Sequence, residues 1–224
     1  MRTALFIHIM LVVMELIVVN YVSAFHGGLK MFIYYTDSSN FLCLMVSAIF
    51  VVFMLPALSK GRTSGFVSTY MMQHYKGEAA MPRWIGMIRY IASCCLMLTF
   101  LVVLLVLGPR DGYEDQLLGG VHLINHVIAP VLSLMSFLLL ETAEPLPKKA
   151  PFYAIIPTVI YAVILIGMNV AGLTEGPYFF LRVREQSLVT TVLWTIVLLG
   201  GNYFISWLVM KAYHAMIAGR NRKI

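Results

Sequence analysis

Charge is what this chain has least of. Asp, Glu, Lys and Arg together make up 12% of its 224 residues, against 60% hydrophobic residues and a mean hydropathy of +0.85. Soluble domains carry roughly 25% charged residues, so a water-exposed globule of this size is excluded. Cysteine is almost as scarce. Cys43, Cys94 and Cys95 all fall within apolar runs, which excludes a disulfide framework and a zinc-ligand spacing and leaves them as small packing residues. Long polar stretches are missing as well: the longest connection between apolar runs, 59–83, is too short for a soluble domain. No basic patch is interleaved with stacking aromatics, so the net charge of +6 does not point to a nucleic-acid partner.

What the chain does contain is a series of six apolar runs, 4–23, 41–58, 84–107, 117–140, 152–171 and 189–210. Each is near the ~20 residues a helix needs to cross the hydrocarbon of a bilayer. The expected fold is an all-α integral membrane protein, one six-helix transmembrane bundle over 1–224. The first run carries Glu15 and Asn20 and has no small-x-small cleavage pattern after it, so it is expected to stay as a helix and not to leave as a signal peptide. Placing the connections on alternating sides puts twelve of the sixteen Lys and Arg on the side of both chain ends. Only Lys30, Arg110, Arg182 and Arg184 fall on the other. Cations accumulate on the cytoplasmic side, so both termini are expected there, with membrane lipids as the surrounding partner. Connection 59–83 mixes apolar and basic residues and should lie along the inner interface. Pro145, Pro147 and Pro151 should separate the fourth and fifth helices. A faint echo, "LIVVN" then Gly27 and "LIGMN" then Gly176, is compatible with three repeated hairpins.

Polar groups near the bilayer centre cost on the order of 2.5–3.5 kcal/mol each on insertion scales, so their positions point to function. Counting along the expected helices places Glu15, Asn20, His122, Asn125, His126 and Asn169 in the outer half of the membrane, with Thr36, Asp37 and Asn40 at the outer end of the second helix. His122 and His126, four apart, share a helix face with Pro130 beyond them. They could hold a metal, although no third ligand is evident besides Glu15 or Asp37. They could equally be hydrogen-bonded to carbonyls in the bundle. Glu15 could orient His126 or act as structural glue. Closer to the inner surface, His8 and Arg89 are expected to snorkel, and Asn202 with Gly200 and Gly201 suggests close helix packing.

Four stretches together resemble a known family. "YYTDSSN" (34–40) is similar to the Thr-x-x-Ser-Asn segment of bacterial six-helix membrane proteins related to the androgen-induced and androgen-dependent membrane hydrolases of animals. "NHVIAPVLSLMSFLLLE" (125–141) resembles that family's histidine shortly before a proline inside a helix, followed by an acidic residue. "HGGLK" (26–30) and "GPYFFL" (176–181) are similar to its glycine pair and its aromatic loop. The animal members are threonine hydrolases that cleave fatty-acid esters of hydroxy fatty acids. The resemblance implies a bacterial plasma-membrane protein that hydrolyses a lipidic ester with Thr36 as nucleophile and His126 as its base, and with no cofactor or metal. Glu15, Asn40, His122, Asn125 and Asn169 are the expected supporting or substrate-binding residues, the amides as oxyanion donors. The same polar slab could instead serve a small-solute or lipid transporter or channel, or a non-catalytic scaffold.

Overall fold

A computed structural model describes residues 1–58, 65–74, 81–141 and 143–221. Lys60, Arg62, Lys76, Arg222 and Lys223 of the charge count lie outside the described residues, as do Gly61 and Tyr75 of the inner connection. The described residues form helices and no strand. Five helices are long and apolar enough to cross a membrane: α1 (Arg2–His26), α2 (Tyr35–Leu58), α4 (Arg83–Asp111), α7 (Ala150–Val170) and α8 (Leu188–Asn221). A shorter apolar helix, α6 (Ile124–Leu140), accompanies them, with two small helices, α3 (Phe66–His74) and α5 (Tyr113–Leu118).

The bundle has an apolar core and, unlike a soluble protein, also an apolar outer surface. On α1 the buried face is Ala4, His8, Leu11, Glu15, Val18 and Val22, spaced by three or four, while Phe6, Val13, Ile17 and Phe25 are exposed. These exposed side chains are apolar, as a lipid-facing surface requires, and the helix's His8 and Glu15 lie on the buried face. Consecutive helices pack as pairs, α1 on α2, α4 on α6 and α7 on α8. The connection before α4 is apolar enough to dock: Met71 of α3 is buried with Ala4, Leu5, Phe50, Met54 and Ile85.

Two helix boundaries and one internal feature differ from the hydropathy reading, for physical reasons. Helix α2 starts at Tyr35 and not at 41, because Ser38, Ser39 and Asn40 donate to the carbonyls of Phe32, Thr36 and Thr36 respectively and so let a polar segment sit inside the helix. Helix α6 starts at Ile124 and not at 117. Gly120 adopts φ +53 and breaks the run, so residues 113–118 fold back as α5. At ~1.5 Å per residue α6 spans about 25 Å, short of a full hydrocarbon crossing. Finally, α4 and α6 each widen into a π-turn, Val103–Leu107 and Ile124–Ile128, just before Pro109 and Pro130. Proline has no N–H for the carbonyl four residues back and its ring crowds that oxygen, and a wider turn relieves both.

The snorkelling expected of His8 and Arg89 does not occur. Both are fully buried. Arg89 reaches Glu141 through Nε (3.1 Å to Oε2) and Nη2 (3.0 Å to Oε1), and its other donors go to Ser133. His8 donates from Nε2 to Glu141 Oε1 (3.0 Å) and meets Ser47 through Nδ1 (3.1 Å). A carboxylate at the end of α6 is within reach, so the guanidinium pairs inside the bundle instead of extending to the headgroups. Asn202 is buried and donates to Thr158 Oγ1 at 2.7 Å, whereas Gly200 and Gly201 have no neighbour against their Cα. The packing there rests on the amide and not on small residues.

Candidate functional site

Two polar levels flank a thin apolar layer made by Leu11, Cys43, Leu96 and Ala129, one buried residue from each of α1, α2, α4 and α6. One turn toward the side of both chain ends, here called inward, lie His8, Ser47, Ser93 and Ser133, which hydrogen-bond one another as His8–Ser47 and Ser93–Ser133. One turn outward lie Glu15, Asn40, Asn125 and Thr99, joined by Ser39–Thr99 (2.8 Å) and Asn40 Nδ2 to the Asn125 carbonyl (3.3 Å). This layering follows from helical spacing: residues three or four either side of a buried position stay on the buried face.

Beyond the outward level a cavity of about 460 Å³ opens at the α1, α2 and α6 ends. Its walls include Thr36, Asp37, Asn125, His122 and His126, together with His26, Arg110 and Tyr178. Thr36 and His126, 90 positions apart in the chain, therefore share one cavity.

The break at Gly120 sets the histidines. With α5 folded back, its carbonyls face α6: His126 Nδ1 lies 2.5 Å from the Gln116 oxygen and His122 Nδ1 2.7 Å from the Asp115 oxygen. A carbonyl can only accept, so each Nδ1 carries a proton, and a neutral ring in this pose has its lone pair on Nε2. The two rings stack with centroids 5.1 Å apart. His126 is buried at the cavity wall. Neutral imidazoles held this way present basic nitrogens.

Thr36 sits in the first turn of α2, half-buried. Its Oγ1 lies 3.5 Å from Tyr178 Oη, which also accepts the otherwise orphaned Thr36 N–H at 3.4 Å. No hydrogen bond joins Thr36 to His126. Tyr178 was not singled out by sequence reasoning, although it stands in the aromatic stretch 176–181. Desolvation by its neighbours pushes the Tyr178 phenol up to about 12, so it keeps its proton at neutral pH. Asp37 is buried, with one oxygen 3.8 Å from His26 Nε2, and the His26 ring packs tilted against Tyr34 with centroids 4.5 Å apart. The signal for His26 was the stretch 26–30 itself, read only for its glycines.

The other expected residues are distributed differently. Asn40 spends both amide hydrogens on Thr36 O and Asn125 O, so it braces α2 against α6 and has none left for a substrate. Asn125 does line the cavity. Asn169 is outside it, tying the 171–187 connection through Thr174 O and the Arg184 N–H. Asn20 faces outward and bonds its own helix at Leu16 O. Glu15 is fully buried and makes no hydrogen bond to His126.

No family model, no curated protein and no solved structure matches this chain. The described residues are all-helical, with five long apolar helices and one shorter one, consistent with a multi-pass membrane protein. Among the described residues no group of three or more His, Cys, Asp or Glu is placed to hold a metal, and the three cysteines are free and buried.

A second, apolar slot of about 60 Å³ lies on the far side of Thr36. It is walled by Leu98, Val102, Val103, Tyr161, Phe180 and Leu198 and shares Thr36, Leu107 and Tyr178 with the polar cavity. Thr36 thus stands on the wall between a cavity that contains Asp37, His122, His126 and Arg110 and a small slot that contains no charged residue.

Proposed function

We propose that this chain is a six-helix transmembrane protein of the bacterial plasma membrane, both termini cytoplasmic, that hydrolyses lipidic esters at Thr36. The observation that carries the proposal is the shared wall. An ester of a long-chain hydroxy acid has an acyl chain on one side of its carbonyl and a polar or charged portion beyond, and Thr36 divides an apolar slot from a polar cavity. Arg110, stacked 3.7 Å from the Phe179 ring at the cavity wall, supplies a cation for a carboxylate at the polar end.

In this reading Thr36 Oγ1 attacks the ester carbonyl carbon as its proton passes to His126 Nε2, directly or through water. The Nδ1–H bond to Gln116 O steadies the imidazolium that results. Asn125 supplies amide hydrogens toward the developing oxyanion. The alcohol leaves with the proton, and water then cleaves the acyl-threonine bond by the same base. Tyr178, Asp37, His26 and His122 position these groups.

A transporter or channel is the second reading. It is favoured by the polar levels on both sides of the Leu11–Cys43–Leu96–Ala129 layer, which is a single turn thick and whose Cys43 Sγ meets Ser47 Oγ of one of those levels at 3.8 Å. Labelling separates the two. Purified wild-type protein should react with a fluorophosphonate probe and hydrolyse long-chain hydroxy-fatty-acid esters, and Thr36→Ala and His126→Ala should each lose both while folding normally. A nucleophile and its base act through one transition state, so the double variant should be no worse than either single one. Equal hydrolysis by wild type and Thr36→Ala, or no turnover by wild type across a broad ester panel, would remove the enzyme reading.

A further inference from the structure

The outward polar level contains oxygen atoms that the fold leaves without donors. Glu15 Oε1 and Oε2, Asn40 Oδ1 and Asn125 Oδ1 are all buried, and none has a hydrogen-bond partner among the described residues. Glu15 stands one turn outward of Leu11, Asn40 one turn outward of Cys43, and Asn125 one turn outward of Ala129, and these three reference residues touch in one layer. Helices α1 and α2 and the π-turn of α6 all pack on one another at this level. Helical spacing therefore places the three side chains, with four unpaired acceptor oxygens, at one level of the bundle interior on three separate segments.

The Asn40 amide is not free to turn over. Its Nδ2 is committed to Thr36 O at 2.8 Å and Asn125 O at 3.3 Å, which fixes Oδ1 as the atom left without a partner. Buried acceptors without donors are costly, and a buried carboxylate more so. A proton on Glu15 would satisfy one further oxygen and leave the others unpaired. A cation would be shared by all four. Carboxylate and amide oxygens are hard ligands suited to alkali and alkaline-earth ions. One carboxylate with neutral amides balances a single positive charge, whereas a divalent ion would keep a net charge in the bundle. Asp37, the next carboxylate along α2, is turned toward His26.

We propose that Glu15, Asn40 and Asn125 bind a monovalent cation of sodium size between α1, α2 and α6. The ion would neutralise Glu15 and lock these segments together beneath Thr36 and His126. The site is independent of whether Thr36 is a nucleophile, because none of its three side chains is asked to move a proton.

The test uses full-length protein purified in detergent. Wild type should bind radiosodium saturably, displaced by unlabelled sodium and not by choline. Its Tm, followed by intrinsic Trp fluorescence, should rise saturably with NaCl and not with choline chloride of equal ionic strength. Glu15→Gln should lose both responses, and Asn125→Ala, which keeps the carboxylate, should bind roughly 10–100-fold more weakly. If Glu15→Gln does not fold, wild type and Asn125→Ala still decide. Absence of saturable sodium binding to wild type overturns the proposal, as does stabilisation by acid alone or binding that survives Glu15→Gln or Asn125→Ala unchanged.

Discussion

Replacing Glu141 by Gln tests the electrostatic core of the fold. The Arg89 guanidinium is fully buried and Glu141 is its counter-charge, with Nε and Nη2 at 3.1 and 3.0 Å from the two carboxylate oxygens. The amide has nearly the same shape, so packing is kept, and what is lost is the charge together with one acceptor oxygen facing the Arg89 and His8 donors. Uncompensated, a buried cation whose partner has been removed costs about 3–5 kcal/mol. For a chain of this length that corresponds to a fall in Tm of roughly 6–20 °C, taking 2–4 °C per kcal/mol. The assay is thermal unfolding of detergent-solubilised protein, read by Trp fluorescence and by loss of the monodisperse peak on size exclusion. Arg89→Met should be similarly damaging. The double variant Arg89→Met/Glu141→Gln should be less destabilised than the two losses added, by about 1–3 kcal/mol of coupling, because no charge is then stranded. Single variants within a degree of wild type, or strict additivity in the double, would refute the view that this pair is a tightly coupled buried ion pair.

Tyr178→Phe keeps the ring against Phe180 but deletes the hydroxyl beside Thr36. On the hydrolase reading kcat should fall roughly 2–12-fold, the worth of one neutral hydrogen bond, with folding unchanged; an unaltered rate would remove Tyr178 from the site. Gly112, between α4 and α5, has φ +95 and ψ +131, a conformation nearly closed to other residues, so Gly112→Ala should lower stability by about 1–3 kcal/mol in the same unfolding assay. Reporters fused within 110–116 should behave as extracytoplasmic, and those after Lys149 or at Ile224 as cytoplasmic; the inverse pattern would place the cavity on the cytosolic side.

The membrane class and the approximate course of the helices were legible in the sequence, because transfer of apolar side chains to lipid is a local, additive property of each run. So was the shared level of Thr36, Asn125 and His126, since residue counting along a helix of fixed rise gives depth without knowing neighbours. Helix ends were less legible. Hydropathy assigns Tyr35 to Asn40 to water, and only the side-chain bonds to Phe32 and Thr36 carbonyls show why they enter α2. In the same way the apolar count ran straight through Gly120, where the backbone turns.

Partnerships were decided only by the tertiary structure. Arg89 and Glu141 are 52 positions apart, and nothing near either announces the other, so a lone intramembrane arginine near a helix end was read as reaching for headgroups. Thr36 and Tyr178 are 142 apart, and the bond between them depends on a loop laid across the end of α2. The carbonyls that fix His122 and His126 come from α5, whose position depends on the chain folding back at Gly120. Charge and hydrogen-bond complementarity are relations between surfaces. A sequence states which groups must find partners in the low dielectric of the bundle, and packing of the six apolar helices determines which partners they meet.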